Sequence, residues 1–254
     1  MSGLHRLEAT RVRRRLRNGS SSPIVVETPG GLFVAKLRGA GHGLPALVAE
    51  ILVAELAEQL GLPVPERVLL ELGPDVPSDD RNDELAQLLA ASVGLNLGFR
   101  YLEGASEPRQ EALAQLDDEF VARVLWLDGW VMNPDRTASN PNLLFWRRQA
   151  WLIDHGSALP FHYRWADVSE DTPRERSDYS GHVFAARASL LPRYEAELAR
   201  AASPAQLSAA AQKLPAEFLA ELGPERDPAR SRAAYAAFLW KRLKPPRPFL
   251  PLSD

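Results

Sequence analysis

The stretch Asp128-Gly-Trp-Val-Met-Asn133-Pro134-Asp135-Arg136-Thr-Ala-Ser-Asn140-Pro-Asn142-Leu-Leu-Phe-Trp146 runs on into Arg147-Arg148-Gln149-Ala-Trp-Leu-Ile-Asp154-His155-Gly156. It holds a carboxylate, Asp135, followed five residues later by an amide, Asn140. A second carboxylate, Asp154, comes after two apolar runs and shortly before a glycine. Residues 143–146 and 150–153 read as two short strands around a polar turn at 147–149. A hairpin centred there sets Asn140 opposite Asp154 or His155, so the amide and the second carboxylate face each other across its open end. The turn contains neither Gly nor Asn, the residues that most readily make a tight hairpin.

An acid that orients a hydroxyl, together with an amide and an acid that hold a metal on phosphates, is the set phosphoryl transfer requires. The plainer alternative is a run of turns, because Asp and Asn side chains cap nearby backbone groups. Asn133-Pro134-Asp135 alone reads as a turn, and Asp154 alone as a strand-end Asx turn. The joint spacing, with a lysine upstream in a fitting place, favours a site.

Composition narrows the class. The chain has 254 residues, 45% hydrophobic and 25% charged, enough to bury a sizeable core in one large domain or two lobes. A net charge of −3 gives no general bias toward nucleic acid or membrane. The absence of cysteine removes disulfides, thiol catalysis and zinc–thiolate sites, and suits a reducing cytoplasm. No stretch approaches the roughly 18–20 apolar residues of a membrane span, and the start shows no signal-peptide core. A cytoplasmic location is expected.

Along the chain, residues 7–17 alternate Arg with apolar residues and place Arg11, Arg13, Arg15 and Arg17 on one strand face. Such a stripe could meet nucleic acid, but it is more often a solvated edge that resists aggregation. Strands are expected at 24–27 and 32–37, completing an antiparallel meander, then a helix at 46–60 and a strand at 66–72. Residues 84–97 are ambiguous between helix and strand, and 99–104 read as an edge strand. Helices are expected at 111–132 and near 181–202, 204–222 and 227–243. The order describes a small β-rich lobe carrying one helix, then a larger helical lobe. Lys36 ends the third strand on the face of Leu32 and Val34, an apolar setting in which an ammonium needs a partner. The helix that follows offers Glu50, Glu55 and Glu58. The alternative is a lysine that snorkels to solvent. His42, His162 and His182 show no metal-ligand spacing.

The string Asp128…Asn133-x-Asp135-Arg136…Asn140 with the later Asp154-His155-Gly156 resembles the catalytic and metal-binding loops of protein kinases. It is most similar to the HipA-like kinases, a bacterial branch whose loop carries Asn-x-Asp, as Asn133-Pro134-Asp135 does. The motifs fall within about residues 15–160. His155 departs from the pattern, standing where most kinases have Phe.

The resemblance implies an α+β, two-lobed protein-kinase-like fold, with 1–102 as the N-lobe and 103–254 as the C-lobe. It implies ATP and Mg2+ as cofactors, and a Ser/Thr protein as acceptor. Asp135 is expected to act on the acceptor hydroxyl, with Arg136 orienting the loop or meeting the substrate. Asn140 and Asp154 are the expected metal ligands. Lys36 is expected to clamp phosphates with Glu50, early in its helix, as partner and Glu55 as second choice. Gly19, Ser20, Ser21 and Ser22 are expected to cover the phosphates, with self-phosphorylation there as a possible off-switch; a plain flexible turn is the alternative. An antitoxin or regulator protein is an expected partner, and membrane or nucleic acid is not. Two rival readings keep the fold: a non-catalytic nucleotide-binding scaffold, and a small-molecule or lipid-type kinase.

Overall fold

A computed structural model of the chain describes residues 3–16, 22–80, 82–222 and 227–251. The chain divides into two compact units, Met1–Val48 with Pro65–Glu103, and Ala49–Val64 with Gly104–Asp254. The class is α+β: the first unit is built on one sheet, and the second is mostly helical.

The sheet has six strands, β1 (Arg6–Glu8), β2 (Arg11–Arg15), β3 (Ile24–Thr28), β4 (Gly31–Lys36), β5 (Arg67–Leu72) and β6 (Gly94–Arg100), in the order β1-β5-β6-β4-β3-β2. The meander β2-β3-β4 forms as its alternation requires. Ile24, Val26, Phe33, Ala35, Val68, Leu70 and Leu72 pack one face with Leu85 of helix α2 (Asp83–Ala90). Asn82 caps α2 by accepting the Leu85 N–H at 3.1 Å.

Several expectations change here. Residues 7–17 are not one strand. Buried Ala9 separates β1 from β2, and β1 crosses to the far edge to pair in parallel with β5. In β2 a bulge between Val12 and Arg14 breaks the arginine stripe. Its arginines face partners of their own unit: Arg11 and Arg13 on Asp79, Arg13 on Glu27, Arg15 on Glu84, and Arg14 on the Tyr101 hydroxyl. Arg17 lies outside the described residues.

The ambiguous 84–97 stretch splits into α2 and the first half of β6, which is an interior strand rather than the expected edge. Two residues disguise it. Gly98 has no room for a side chain, since a Cβ there would stand 2.9 Å from Val68 Cγ2. Asn96 is fully buried, accepting from Arg38 N and donating to the Ser92 and Gly94 carbonyls at 2.8 Å.

Lys36 shares the face of Leu32 and Val34, as strand alternation places it. Phe33 and Ala35 are the fully buried face of β4, while Leu32 and Val34 are only partly covered. β4 lies between two strands and is covered on both faces, which blurs the alternation. Lys36 is 8% exposed, its Nζ 6.0 Å from the Phe99 ring centroid.

Helix α1 (Gly43–Gln59) runs across the division between the units. Residues 47–54 are buried on every side, and Glu50 is the one charge among them, fully buried. Gly61, at φ 73°, ends α1 with Gly61 N donating to Glu58 O and Leu62 N to Ala57 O, both at 2.9 Å.

The second unit adds α3 (Gln110–Ala114), α4 (Asp118–Trp130), the hairpin β7 (Leu143–Trp146) and β8 (Gln149–Leu152), then α5 (Leu191–Arg200), α6 (Pro204–Gln212), α7 (Ala216–Glu221) and α8 (Pro228–Leu243). The single helix expected at 111–132 is two, because Asp117 caps a new start by accepting the Phe120 N–H at 2.7 Å. The one expected at 204–222 is broken before Pro215, which caps α7. That expected near 181–202 begins as a 3₁₀ turn at Ala185–Leu190. Trp126 and Trp130 of α4 meet edge to face at 5.1 Å, and the Trp130 indole donates to Leu239 O of α8.

Candidate functional site

The chain leaves α4 through Met132, at φ 55°, and turns at once into the loop. Asn133 Oδ1 accepts the Asp135 N–H at 3.1 Å, the Asx turn expected of Asn-Pro-Asp. Thr137 N donates to Asn140 O at 3.0 Å and Asn140 N to Thr137 O at 3.2 Å, closing a tight loop over 137–140. Turn and site are thus the same residues.

Asp135 is half-buried. Its Oδ2 accepts from Asn140 Nδ2 at 3.1 Å and from Asn142 Nδ2 at 3.0 Å. Two neutral amides converge on one oxygen, fixing the plane of the carboxylate. The amide nitrogen of Asn140 faces Asp135, so its Oδ1 is directed elsewhere.

Behind this loop lies a closed ionic cluster. Asp128, in the last turn of α4, is 2% exposed and accepts from three donors: Asn133 Nδ2 at 2.9 Å, Arg136 Nε at 2.6 Å and His182 Nε2 at 3.0 Å. Burial alone would raise the Asp128 pKa, but the Arg136 charge and the His182 hydrogen bond outweigh it and hold the carboxyl below the usual range. Arg136 is 1% exposed. Its Nη1 donates to Asn142 O at 2.6 Å and Pro141 O at 3.3 Å, and its Nη2 lies 3.4 Å from His155 Nδ1. Of the two roles expected of Arg136, orienting the loop fits this geometry. A side chain so buried has no surface to offer a substrate.

The hairpin forms with Leu143 opposite Leu152, and Ile153 N donates to Asn142 O at 3.1 Å. Its two-residue turn is Arg147-Arg148, at φ 49° and 64°. These are the left-handed angles that Gly and Asn usually supply, here borne by two arginines, with Arg147 stacked on Trp146 at 4.2 Å. Asn142, at φ 49°, and Asp154, at φ 56°, flank the hairpin in the same strained region. With Met132, three left-handed residues border the site, where such strain tends to gather.

His155 is fully buried, and its N–H donates to Glu50 Oε2 at 2.9 Å. A glutamate from α1 thus holds the backbone beside Asp154. Glu55 is partly exposed and Glu58 exposed, so of the three only Glu50 is placed as a buried acceptor. Ser22, at φ 47°, accepts from Arg15 Nη2 at 3.3 Å. Gly19, Ser20 and Ser21, expected to cover phosphates, lie outside the described residues.

Sequence reading gave no role to three residues that the site uses. Asn142 stood inside the quoted string, two positions past Asn140. Asp128 began the string. His182 carried no local signal, since it joins the cluster from 54 residues away.

The donor set suits a hard divalent cation in one respect: the Asp154 carboxylate and the Asn140 carbonyl offer only oxygen. Among the described residues no three His, Asp or Glu side chains form a self-sufficient metal cage. Magnesium seldom uses one; it takes one or two protein oxygens and completes its shell with water and phosphate. Among the described residues no helix is long and apolar enough to cross a membrane.

A β-rich unit and a helical unit, the latter carrying Asp135-x4-Asn140 and then Asp154-x-Gly156, together have the composition of a kinase-like phosphotransferase. Residues 9–238 match the family model of the HipA-like kinases, and the chain belongs to that family. No curated protein matches it. Among solved structures it is similar to the Golgi casein kinase, at 11% identity over 94% of this chain and 74% of that one, with a TM-score of 0.41.

Proposed function

We propose that this protein is an ATP- and Mg2+-dependent kinase that phosphorylates Ser or Thr of a protein acceptor, with 1–102 as its N-lobe and 103–254 as its C-lobe. The observation that carries the reading is the convergence of Asn140 and Asn142 on one oxygen of Asp135. It leaves Oδ1 to receive the hydrogen bond of an attacking hydroxyl and, late in the transfer, its proton. Bound magnesium supplies charge neutralisation on the phosphates, and Asn140 and Asp154 are the residues to hold it. Lys36 meets the phosphates with Glu50 as its ion partner, and the 19–22 turn covers them. Phosphate on Ser20, Ser21 or Ser22 would repel the nucleotide and switch the enzyme off. An antitoxin or another regulator protein is proposed as partner on the family resemblance, and a cytoplasmic location on the cysteine-free composition.

Thermal unfolding with ATP, with and without Mg2+, tests the nucleotide reading. A ligand at 100 times its Kd adds about 2.7 kcal/mol of stability. The absence of any metal-dependent shift at millimolar ATP would overturn it. Labelled ATP with the pure protein, alone and with lysate, identifies the acceptor, and mass spectrometry of the 17–23 peptide reads the switch.

A further inference from the structure

The loop carrying Asp135 is not held by packing alone. Met132, Asn133 and Pro134 line a cavity of about 430 Å³ together with Asp178, Ser180 and Gly181. A loop beside a void lacks contact atoms on that side, so its place depends on directed bonds.

Those bonds run through His182. Phe184 N donates to His182 Nδ1 at 3.0 Å, which makes Nδ1 the acceptor and leaves the proton on Nε2. That N–H points at Asp128 Oδ2, 3.0 Å away, and Asp128 in turn holds Asn133 and Arg136, the residues two before and one after Asp135. The main chain repeats the link, with a bridge between Thr137 and His182 and Val183 N donating to Arg136 O at 3.0 Å.

The segment presenting His182 is itself anchored. Tyr179 OH lies at hydrogen-bond distance from Leu125 O (3.0 Å) and Phe249 O (2.8 Å), and Ser177 Oγ donates to Gly129 O at 2.9 Å. Fully buried Arg242 donates to the Gly129, Trp130, Pro173 and Glu175 carbonyls and to Ser177 Oγ. His182 is therefore offered from a fixed base.

We propose that His182 is a positioning residue for Asp135, setting where that carboxylate stands through Asp128 and through the main chain of residues 136 and 137. The proposal rests on Asp135 as the acid that orients the acceptor. Misplacement of a reacting group by about 1 Å can cost roughly 10²-fold in rate.

The experiment compares wild type, His182→Leu, His182→Gln and Asp135→Asn by turnover of ATP, KM for ATP and hydrogen–deuterium exchange. His182→Leu should lower kcat about 10²-fold, leave KM for ATP within about twofold, and raise exchange in 131–143 but not in 43–59. His182→Gln, which restores an N–H toward Asp128, should recover most of the rate and the protection. Unchanged exchange in 131–143, an increase spread over the whole chain, or equal loss in the Gln and Leu variants would overturn the proposal. Turnover surviving in Asp135→Asn, or absent in wild type, would instead overturn the reading of Asp135, while exchange still decides whether His182 holds the loop.

Discussion

Asp128 and Asp135 are carboxylates seven residues apart with opposite surroundings. Asp128 is buried, both of its oxygens are engaged, and its partners include a cation and an imidazole. Asp135 is half-buried and held by two neutral amides on one oxygen. A charge that is fully neutralised and enclosed can hold structure but has nothing left for a substrate. A carboxylate oriented by neutral donors keeps its charge and a lone pair for chemistry. The loop thus divides fixing and reacting between two acids.

The sharpest way to break this comparison is to exchange the expected losses. Asp135→Asn should cost about 10²–10⁴ in kcat, while nucleotide affinity and melting temperature stay near wild type. A variant that unfolds yet keeps its rate would assign Asp135 the structural role. Asp128→Ala should do the reverse, losing roughly 3–5 kcal/mol in denaturant unfolding because Arg136 is left buried without its carboxylate.

Glu50 sharpens the comparison from a second side. Glu50→Ala removes the acceptor of His155 N–H and should cost about 1–3 kcal/mol, and it should raise the Mg2+ concentration needed for half-maximal turnover. Glu50→Gln keeps an acceptor and should cost less stability while losing any charge for Lys36. Equal magnesium dependence in the two variants would show that the bond to His155 does not serve Asp154.

Acid unfolding gives the most gradual effect, spread over pH. Burial pulls the His162 pKa from 6.5 down to about 3, so the folded state resists a proton that the unfolded state accepts. Stability should therefore be full above pH 6.5 and fall as pH drops from there toward 3, by at most about 1.4 kcal/mol per pH unit. His162→Leu should flatten that window. The folded Asp128 carboxyl titrates below its unfolded value of 3.8, so its contribution is present above that value and lost only at lower pH. Asp128→Asn should lower stability throughout the range above 3.8 and remove the pH dependence of this lower window only.

Much of the site was legible because it is local. Asp135, Asn140 and Asp154 are linked by a short loop and a hairpin, and residue spacing bounds where such a chain can go. The hairpin formed where its apolar runs required, although its turn uses two arginines at left-handed angles. The alternation of β3 placed its core residues for the same reason: a strand's side-chain period is set by the backbone. Where burial is two-sided the period fails, so β6, interrupted by Gly98 and Asn96, read as helix or strand.

By itself, then, the sequence determined a β-rich unit, a helical unit and the acids and amide of one loop, because these follow from propensity and spacing over a few turns of chain. Tertiary structure alone decided that β1 crosses to pair with β5, that Glu50 meets His155 N–H across 105 residues, and that His182 meets Asp128 across 54. Such bonds join groups whose separation along the chain sets no limit on their separation in space. They exist because a buried carboxylate or N–H must find a partner, and only the packed chain determines which one is within reach.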